Sequence, residues 1–245
     1  MQCQVELGEP DFELRSFQGS SHRVPIRYDA DVLEGGQAKI TCRNGHKTNF
    51  VIQAVKPEIL SAIAGYAIVD GYYREAVTSF TAALERLYEL YVHVVAKSKD
   101  VDQTEFENAW KLMSRQSERQ YGAFAMLYLF EEGVAPKHLN SNKIAFRNNV
   151  VHKGIIPTKE KAIEYGKIVL EIMHEVALVF REKYSKSLSQ IVLNRMRNVS
   201  TQRADEEYNA MMAPAFIVDI QGLNADPSEP DLDNWLVRES RYLRY

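Results

Sequence analysis

Residues 72–97 read YYREAVTSFTAALERLYELYVHVVAK, and apolar residues recur in this stretch at every third or fourth position. That spacing places side chains on one face of an α-helix, which other elements then have to cover. The apolar positions are Tyr73, Ala76, Val77, Phe80, Ala83, Leu84, Leu87, Tyr88, Tyr91, Val94 and Val95. The stretch therefore predicts a long helix with one buried face.

More helices are predicted on both sides of this stretch. Pro57 suits the first turn of a preceding helix. Residues 121–132 form another apolar stretch, and Gly133 is typical of the residue that ends such a helix. Together with the two helices described next, these elements favour a mainly α-helical bundle.

The second half of the chain predicts two helices joined by a short break. Residues 137–152 form the first, and Gly154 and Pro157 interrupt it. Thr158 can cap the second, which runs over about residues 159–184 with an apolar stripe of its own.

The two ends of the chain predict a small β appendage on this bundle. Residues 38–43 and 46–53 are rich in β-branched residues, and Asn44-Gly45 between them favours the tight turn of a β-hairpin. Residues 215–220 read AFIVDI and predict one more strand, which could join the hairpin. The expected fold is a mainly α helical bundle with an N-terminal hairpin and a C-terminal strand.

We divide the chain into a β-rich segment 1–56, a helical domain 57–200 and an acidic strand and tail 201–245. The composition, with 45% apolar and 26% charged residues, is ordinary for a globular protein. No run of 18 apolar residues and no secretory start are found, so we expect a cytoplasmic protein without a membrane span.

The two cysteines do not form a disulfide framework. Cys42 and His46 have the spacing of one half of a zinc site, but no second pair accompanies them. No glycine-rich phosphate-binding motif is present either. We therefore expect neither a metal nor a cofactor.

Charge is unevenly distributed although the net charge is only −3. Residues 133–159 contain no Asp or Glu, but they include Lys143, Arg147 and Lys153. Such a window permits a polyanionic partner and makes Lys143 and Lys153 candidates for RNA phosphate contacts. The alternative interpretation is an ordinary solvated lysine surface.

Arg147 and His152 stand near the end of the predicted helix 137–152. His152 can exchange protons near neutral pH, and Arg147 can hold phosphate oxygens, as metal-free cleavage of an RNA phosphodiester requires. An ideal helix separates them by about 140°, so they can converge only if the last turn unwinds before Gly154. The competing interpretation is that both residues simply cap helix carbonyls.

The stretch FRNNVVHKGIIP, residues 146–157, followed by a long amphipathic helix, resembles the signature of the HEPN superfamily. That signature is an arginine, a polar residue after it, and a histidine near the end of a helix. Residues 70–86 are similar to the first long helix of HEPN domains. The resemblance covers about residues 57–190.

This resemblance implies a helical bundle that forms a homodimer and, in many members, a metal-independent endoribonuclease used in antiphage defence or as a toxin. It makes Arg147, His152 and Asn148 catalytic candidates, with Asn149 and Glu85 as candidate supporting residues. For Glu85 the simpler interpretation, which we favour, is a charged residue beside the apolar stripe. The implied partners are an RNA substrate and an antitoxin or other defence protein.

The resemblance also leaves a second function open, because some HEPN domains keep the fold and bind partners without cleaving RNA. The chain departs from one branch of the family. Members that pair with a nucleotidyltransferase antitoxin carry a tyrosine two residues after the histidine, where this chain has Gly154. Regulation by modification of that tyrosine is therefore not expected.

Overall fold

The computed structural model describes residues 30–33, 37–41, 47–201, 208–212, 216–223 and 229–242. Helices account for most of them, which confirms the mainly α-helical fold. In chain order the helices are α1 (Lys56–Val69), α2 (Tyr73–Ser98), α3 (Gln103–Met113), α4 (Ser117–Glu132), α5 (Ser141–Lys153), α6 (Lys159–Val179), α7 (Ser185–Thr201) and α8 (Leu232–Tyr242).

The chain folds into two compact units. One combines described parts of Met1–Gln53 and Asn194–Pro214, and the other combines Ala54–Leu193 with described parts of Ala215–Tyr245. The segment predicted as 201–245 is therefore divided between the units.

The first unit contains a four-stranded sheet in the order β1-β2-β3-β4. Its strands are β1 (Ala30–Leu33), β2 (Gln37–Thr41), β3 (Lys47–Ile52) and β4 (Tyr208–Met212). The first three pair antiparallel, and β4 pairs parallel to β3. The predicted hairpin is present as β2 and β3, while its Asn44-Gly45 turn lies outside the described residues.

The strand predicted at residues 215–220 was wrong in position. The last strand among the described residues is β4, and residues 216–223 have no strand conformation. Their apolar side chains Ile217, Val218 and Ile220 are buried within the helical unit instead. A short apolar run predicts a buried segment, but it does not specify whether a sheet or a set of helices buries it.

Helix α2 is the centre of the helical unit and packs against α1, α4, α5 and α6. Its predicted stripe is buried from Ala76 to Val95, while Tyr73 at the start of the stripe is only half-buried. The largest side chains of this core that are fully buried include Phe80, Phe124, Tyr165 and Phe180. Covering the stripe from several sides is what turns one amphipathic helix into a bundle.

A π-helical turn, Phe180–Tyr184, continues α6 and supplies two rings to Tyr91 of α2. The phenol of Tyr184 donates a 2.9 Å hydrogen bond to Glu131. Burial raises the pKa of both Tyr91 and Tyr184, so these phenols stay neutral and serve as hydrogen-bond donors.

Helix α8 is held on α1 by an aromatic contact. Trp235 packs edge-on against Tyr66, with ring centroids 4.9 Å apart. The phenol of Tyr66 donates a 3.0 Å hydrogen bond to Glu239. A Cβ built on Gly65 would lie 2.5 Å from the indole of Trp235. The close approach of α8 to α1 therefore depends on the absence of a side chain at position 65.

In the part of the chain that the structure describes, no helix is both long enough and apolar enough to cross a membrane.

Candidate functional site

Helix α5 carries the Arg147–His152 motif and has well-defined ends. The side chain of Asn140 caps it by accepting a 3.0 Å hydrogen bond from the amide of Lys143, so the helix begins later than predicted. Gly154 ends it with a φ of 71°, and the amides of Gly154 and Ile155 both donate to the carbonyl of Asn149. The helix stays regular through Lys153.

The regular end places Arg147 and His152 on different sides of α5. Val150 is 0% exposed and marks the buried side. Arg147 is about 60° from Val150 around the helix and is half-buried, whereas His152 is about 160° away and exposed. The unwinding expected before Gly154 does not occur, because the left-handed glycine turns the chain after Lys153 and directs two amides to the carbonyl of Asn149. Within one chain the two side chains therefore do not converge.

Arg147 lies among polar groups from α2 and α6. Burial raises the pKa of Tyr88 and Tyr165, the positive charge of Arg147 lowers both, and the negative charge of Glu85 raises both. Arg147 and Glu85 therefore influence the pKa of the same two phenols in opposite directions. The hydroxyl of Tyr165 is in turn hydrogen-bonded to Thr81 at 2.9 Å.

No described residue pairs with Arg147 in an ion pair, and its Nε is buried without a hydrogen-bond partner. Glu85 likewise has no ion-pair partner among the described residues. The structure therefore brings the predicted residue Glu85 to the neighbourhood of Arg147 without joining the two. A guanidinium whose donors are not consumed by a carboxylate remains able to bind an anion.

The two asparagines of the motif, Asn148 and Asn149, are half-buried on α5. The backbone carbonyl of Asn149 has the clearest role, since it accepts the hydrogen bonds that end the helix. On the exposed side, His152 is followed by Ile155 and Ile156, which are 51% and 78% exposed. An imidazole beside exposed apolar side chains is a suitable place for a bound macromolecule.

The basic window of the sequence is not free of acid in three dimensions, because α6 brings carboxylates to it. Lys143 forms an ion pair with Glu164, and Lys137 is 2.9 Å from Glu175. Lys153, by contrast, is exposed and has no ion-pair partner among the residues described. Of the two predicted RNA-contacting lysines, Lys143 is partly neutralised and Lys153 is not.

Thr81, Tyr88 and Tyr165 also belong to this site, although their sequence context did not predict them there. Thr81, Glu85 and Tyr88 follow each other at the four- and three-residue spacing of one helix face. That spacing is a signal for a shared face, but Tyr88 belongs to the apolar stripe of α2 and Glu85 lies beside that stripe, so the spacing alone indicates packing of α2. Nothing in the local sequence of Tyr165 indicates that it lies near Arg147.

Among the described ranges, no three His, Cys, Asp or Glu side chains come together as a metal site would require. Cys42 and His46 lie outside those ranges. Comparisons with protein-family models, with curated proteins and with solved structures found no match for this chain.

Proposed function

We propose that this chain is a metal-independent endoribonuclease of the HEPN type that acts in antiphage defence or as a toxin. The observation that supports it is that the last two turns of α5 carry both an unpaired, permanently charged guanidinium and an exposed imidazole. Those are the two groups that metal-free cleavage of a phosphodiester needs. Exposed Lys153, next to His152, adds a cation for the RNA backbone.

In the proposed reaction the ribose 2′ oxygen bonds to the adjacent phosphorus while its proton passes to an imidazole. The bond from phosphorus to the 5′ oxygen breaks, and that oxygen takes up a proton. The products are a 2′,3′-cyclic phosphate and a 5′-hydroxyl. Arg147 would bind the phosphate oxygens as negative charge builds on them, and Asn148 would orient one of the two groups.

The separation of Arg147 and His152 around α5 makes a homodimer part of this proposal. A single chain directs the two groups to different sides, so one active site would combine groups from two copies. The same separation favours the second candidate function, a non-catalytic HEPN module that binds another defence or signalling protein. In that case Arg147 would act only on Tyr88 and Tyr165 inside the bundle.

An RNA cleavage assay in the presence of EDTA distinguishes these functions. We expect wild-type protein to produce 5′-hydroxyl ends, and we expect His152→Ala and Arg147→Ala to reduce the rate at least about 100-fold. Lys159→Ala, at the exposed start of α6, is the control for loss of surface charge. Equal cleavage by all four proteins would contradict the assigned roles, and an inactive but well-folded wild type would favour the binding module.

A further inference from the structure

Helix α3 contacts the rest of the bundle through few side chains. Trp110 is the only residue of α3 that is buried, and Phe106 and Met113 are half-buried, whereas every other residue of this fully described helix is exposed. The side chain of Asp102 caps the first turn, which stabilises the helix locally. The position of α3 on the bundle therefore depends on a small number of tertiary contacts.

The first of these contacts is with His93 of α2. Its imidazole packs edge-on against Phe106 and Trp110, with ring centroids 4.6 Å and 5.4 Å away. The Nε2 atom of His93 is buried and has no hydrogen-bond partner among the described residues. Both ring nitrogens of a charged imidazole are donors, so protonation of His93 would leave a buried N–H group without an acceptor, which is costly.

The second contact holds the end of α3 through a series of polar side chains. Gln120, which is buried, donates a 2.7 Å hydrogen bond to the backbone carbonyl of Ser114, the residue after α3. Arg86 of α2 donates a 3.0 Å hydrogen bond to Gln120 and forms an ion pair with Glu89. Glu89 precedes His93 by four residues and therefore lies on the same face of α2. Both contacts of α3 thus lead to one face of α2.

We propose that protonation of His93 releases α3 from α2, so that α3 is a pH-sensitive flap of the bundle. The charged imidazole cannot satisfy its Nε2–H group against the two rings of α3. It also attracts the carboxylate of Glu89 away from Arg86, because Glu89 lies between these two cations on one helix face. Loss of that ion pair frees Arg86 and Gln120 to move, and the hold on Ser114 weakens at the same step.

The direction of the pH dependence follows from the groups around the imidazole. Burial lowers the pKa of His93 from its ordinary 6.5, while the negative charges of Glu89 on α2 and Glu107 on α3 raise it. Among the described residues these two carboxylates are the charged groups that act on His93. Arg119 of α4 bonds α3 farther along, at the carbonyl of Leu112.

The docked imidazole consequently binds a proton less tightly than the released one. Docking of α3 is therefore complete above pH 6.5 and weakens as the pH falls below that value. The ratio of released to docked α3 increases by up to about tenfold per pH unit, until the docked imidazole is itself protonated.

Tryptophan fluorescence tests the proposal, because the chain contains two tryptophans and only Trp110 lies on α3. In Trp235→Phe, the access of acrylamide to Trp110 should increase severalfold between about pH 8 and about pH 5, with a midpoint below 6.5. In Trp110→Phe, access to Trp235 on α8 should stay constant. Far-UV circular dichroism over the same range checks that the bundle remains folded.

Histidine variants in the Trp235→Phe background assign the transition. His93→Gln should keep Trp110 shielded at the lowest pH. His174→Gln is the matched control, because burial also lowers the pKa of His174 but this histidine lies on α6, and the transition should persist.

Three outcomes would overturn the proposal. In the first, Trp110 stays shielded or becomes more shielded at low pH, as a cation–π contact with the charged imidazole would cause. In the second, the transition survives His93→Gln. In the third, the intensity of Trp110 falls without greater access of acrylamide, which means that the charged imidazole quenches the indole in place. The experiment contains no RNA, so its result is independent of the proposed cleavage.

Discussion

The backbone amide of Ile220 donates a 2.8 Å hydrogen bond to the carboxylate of Glu58, which lies 162 residues earlier in the chain. The amide of Val55 and both the amide and the side chain of Gln221 donate to the same carboxylate. Glu58 is 1% exposed. One buried carboxylate therefore joins the first turn of α1 to residues 220–221 near the end of the chain.

Glu58→Gln should lower the free energy of unfolding at neutral pH by about 1–3 kcal/mol. The glutamine side chain keeps one acceptor oxygen, but its NH2 group would face buried N–H donors. Urea denaturation measures the effect, and Glu229→Gln, at an exposed position, is the control. Equal midpoints for the two variants would show that the four hydrogen bonds contribute little.

The stability of the helical unit should also depend on pH through Glu58. Burial raises the pKa of this carboxyl from 4.5 to about 6. The folded state then binds the proton more tightly than the unfolded state, so the contribution to stability is complete below pH 4.5 and is lost as the pH rises through 6. The loss should be about 2 kcal/mol.

The measurement is the difference in unfolding free energy between wild type and Glu58→Gln at several pH values. The unfolding free energy of the variant is subtracted because burial lowers the pKa of His93 and His174. A lowered histidine pKa has the opposite effect on the pH dependence of stability. The difference between the two unfolding free energies should decrease as the pH rises from 4.5 to about 7. A flat difference would contradict the assignment to Glu58.

Gly65→Ala should destabilise the contact between α1 and α8. The new methyl would be 2.5 Å from a ring carbon of Trp235, and the shift this forces should cost about 1–3 kcal/mol. Gly122→Ala is the matched control, since it adds a methyl to an exposed helical glycine and should be neutral or stabilising by up to about 1 kcal/mol. Thermal unfolding compares the two variants.

Gly154→Ala should weaken the end of α5. The φ of 71° at this position costs a residue with a Cβ about 1–2 kcal/mol. Gly154→Asn should lose less stability than Gly154→Ala, because asparagine tolerates the left-handed conformation better than alanine does. Urea denaturation measures both variants. A larger loss for asparagine than for alanine would mean that the conformation of Gly154 is not what matters there.

The proposed RNA binding should depend more on Lys153 than on Lys143. Lys153→Ala should weaken RNA affinity and reduce the slope of log affinity against log salt by up to about 1. Lys143→Ala should change the affinity and the slope less, because Glu164 already partly neutralises that lysine. Glu164→Gln should release Lys143 and tighten binding. Fluorescence anisotropy at several salt concentrations tests all three, and equal effects of the two lysine variants would contradict the role of Glu164.

Several elements could be predicted from local sequence because their determinants are local. The apolar period placed a helix at residues 72–97, and α2 spans Tyr73–Ser98. Thr158 was expected to cap α6, and its hydroxyl accepts from the amide of Lys161. Hydrophobic spacing, capping residues and left-handed glycines act over a few residues, so a reader of the sequence sees all the groups involved.

The candidate site was less predictable, because its geometry depends on neighbours that are distant in sequence. The sequence placed Arg147 and His152 on one helix near Gly154. Only the tertiary structure showed that Arg147 faces Tyr88 and Tyr165 while His152 faces outward. The direction of a side chain is set by which side of its helix the bundle covers, and local spacing alone does not specify that.

The sequence and the tertiary structure also determine different aspects of the charge distribution. The sequence by itself determined that residues 133–159 contain no acid and that Pro57, next to Glu58, suits the first turn of a helix. The tertiary structure decided that Glu164 forms an ion pair with Lys143 and that Glu58 is buried and bound by Ile220. Electrostatic and hydrogen-bond energies depend on distances between atoms and on exclusion of water, and folding sets both by joining segments that the sequence keeps far apart.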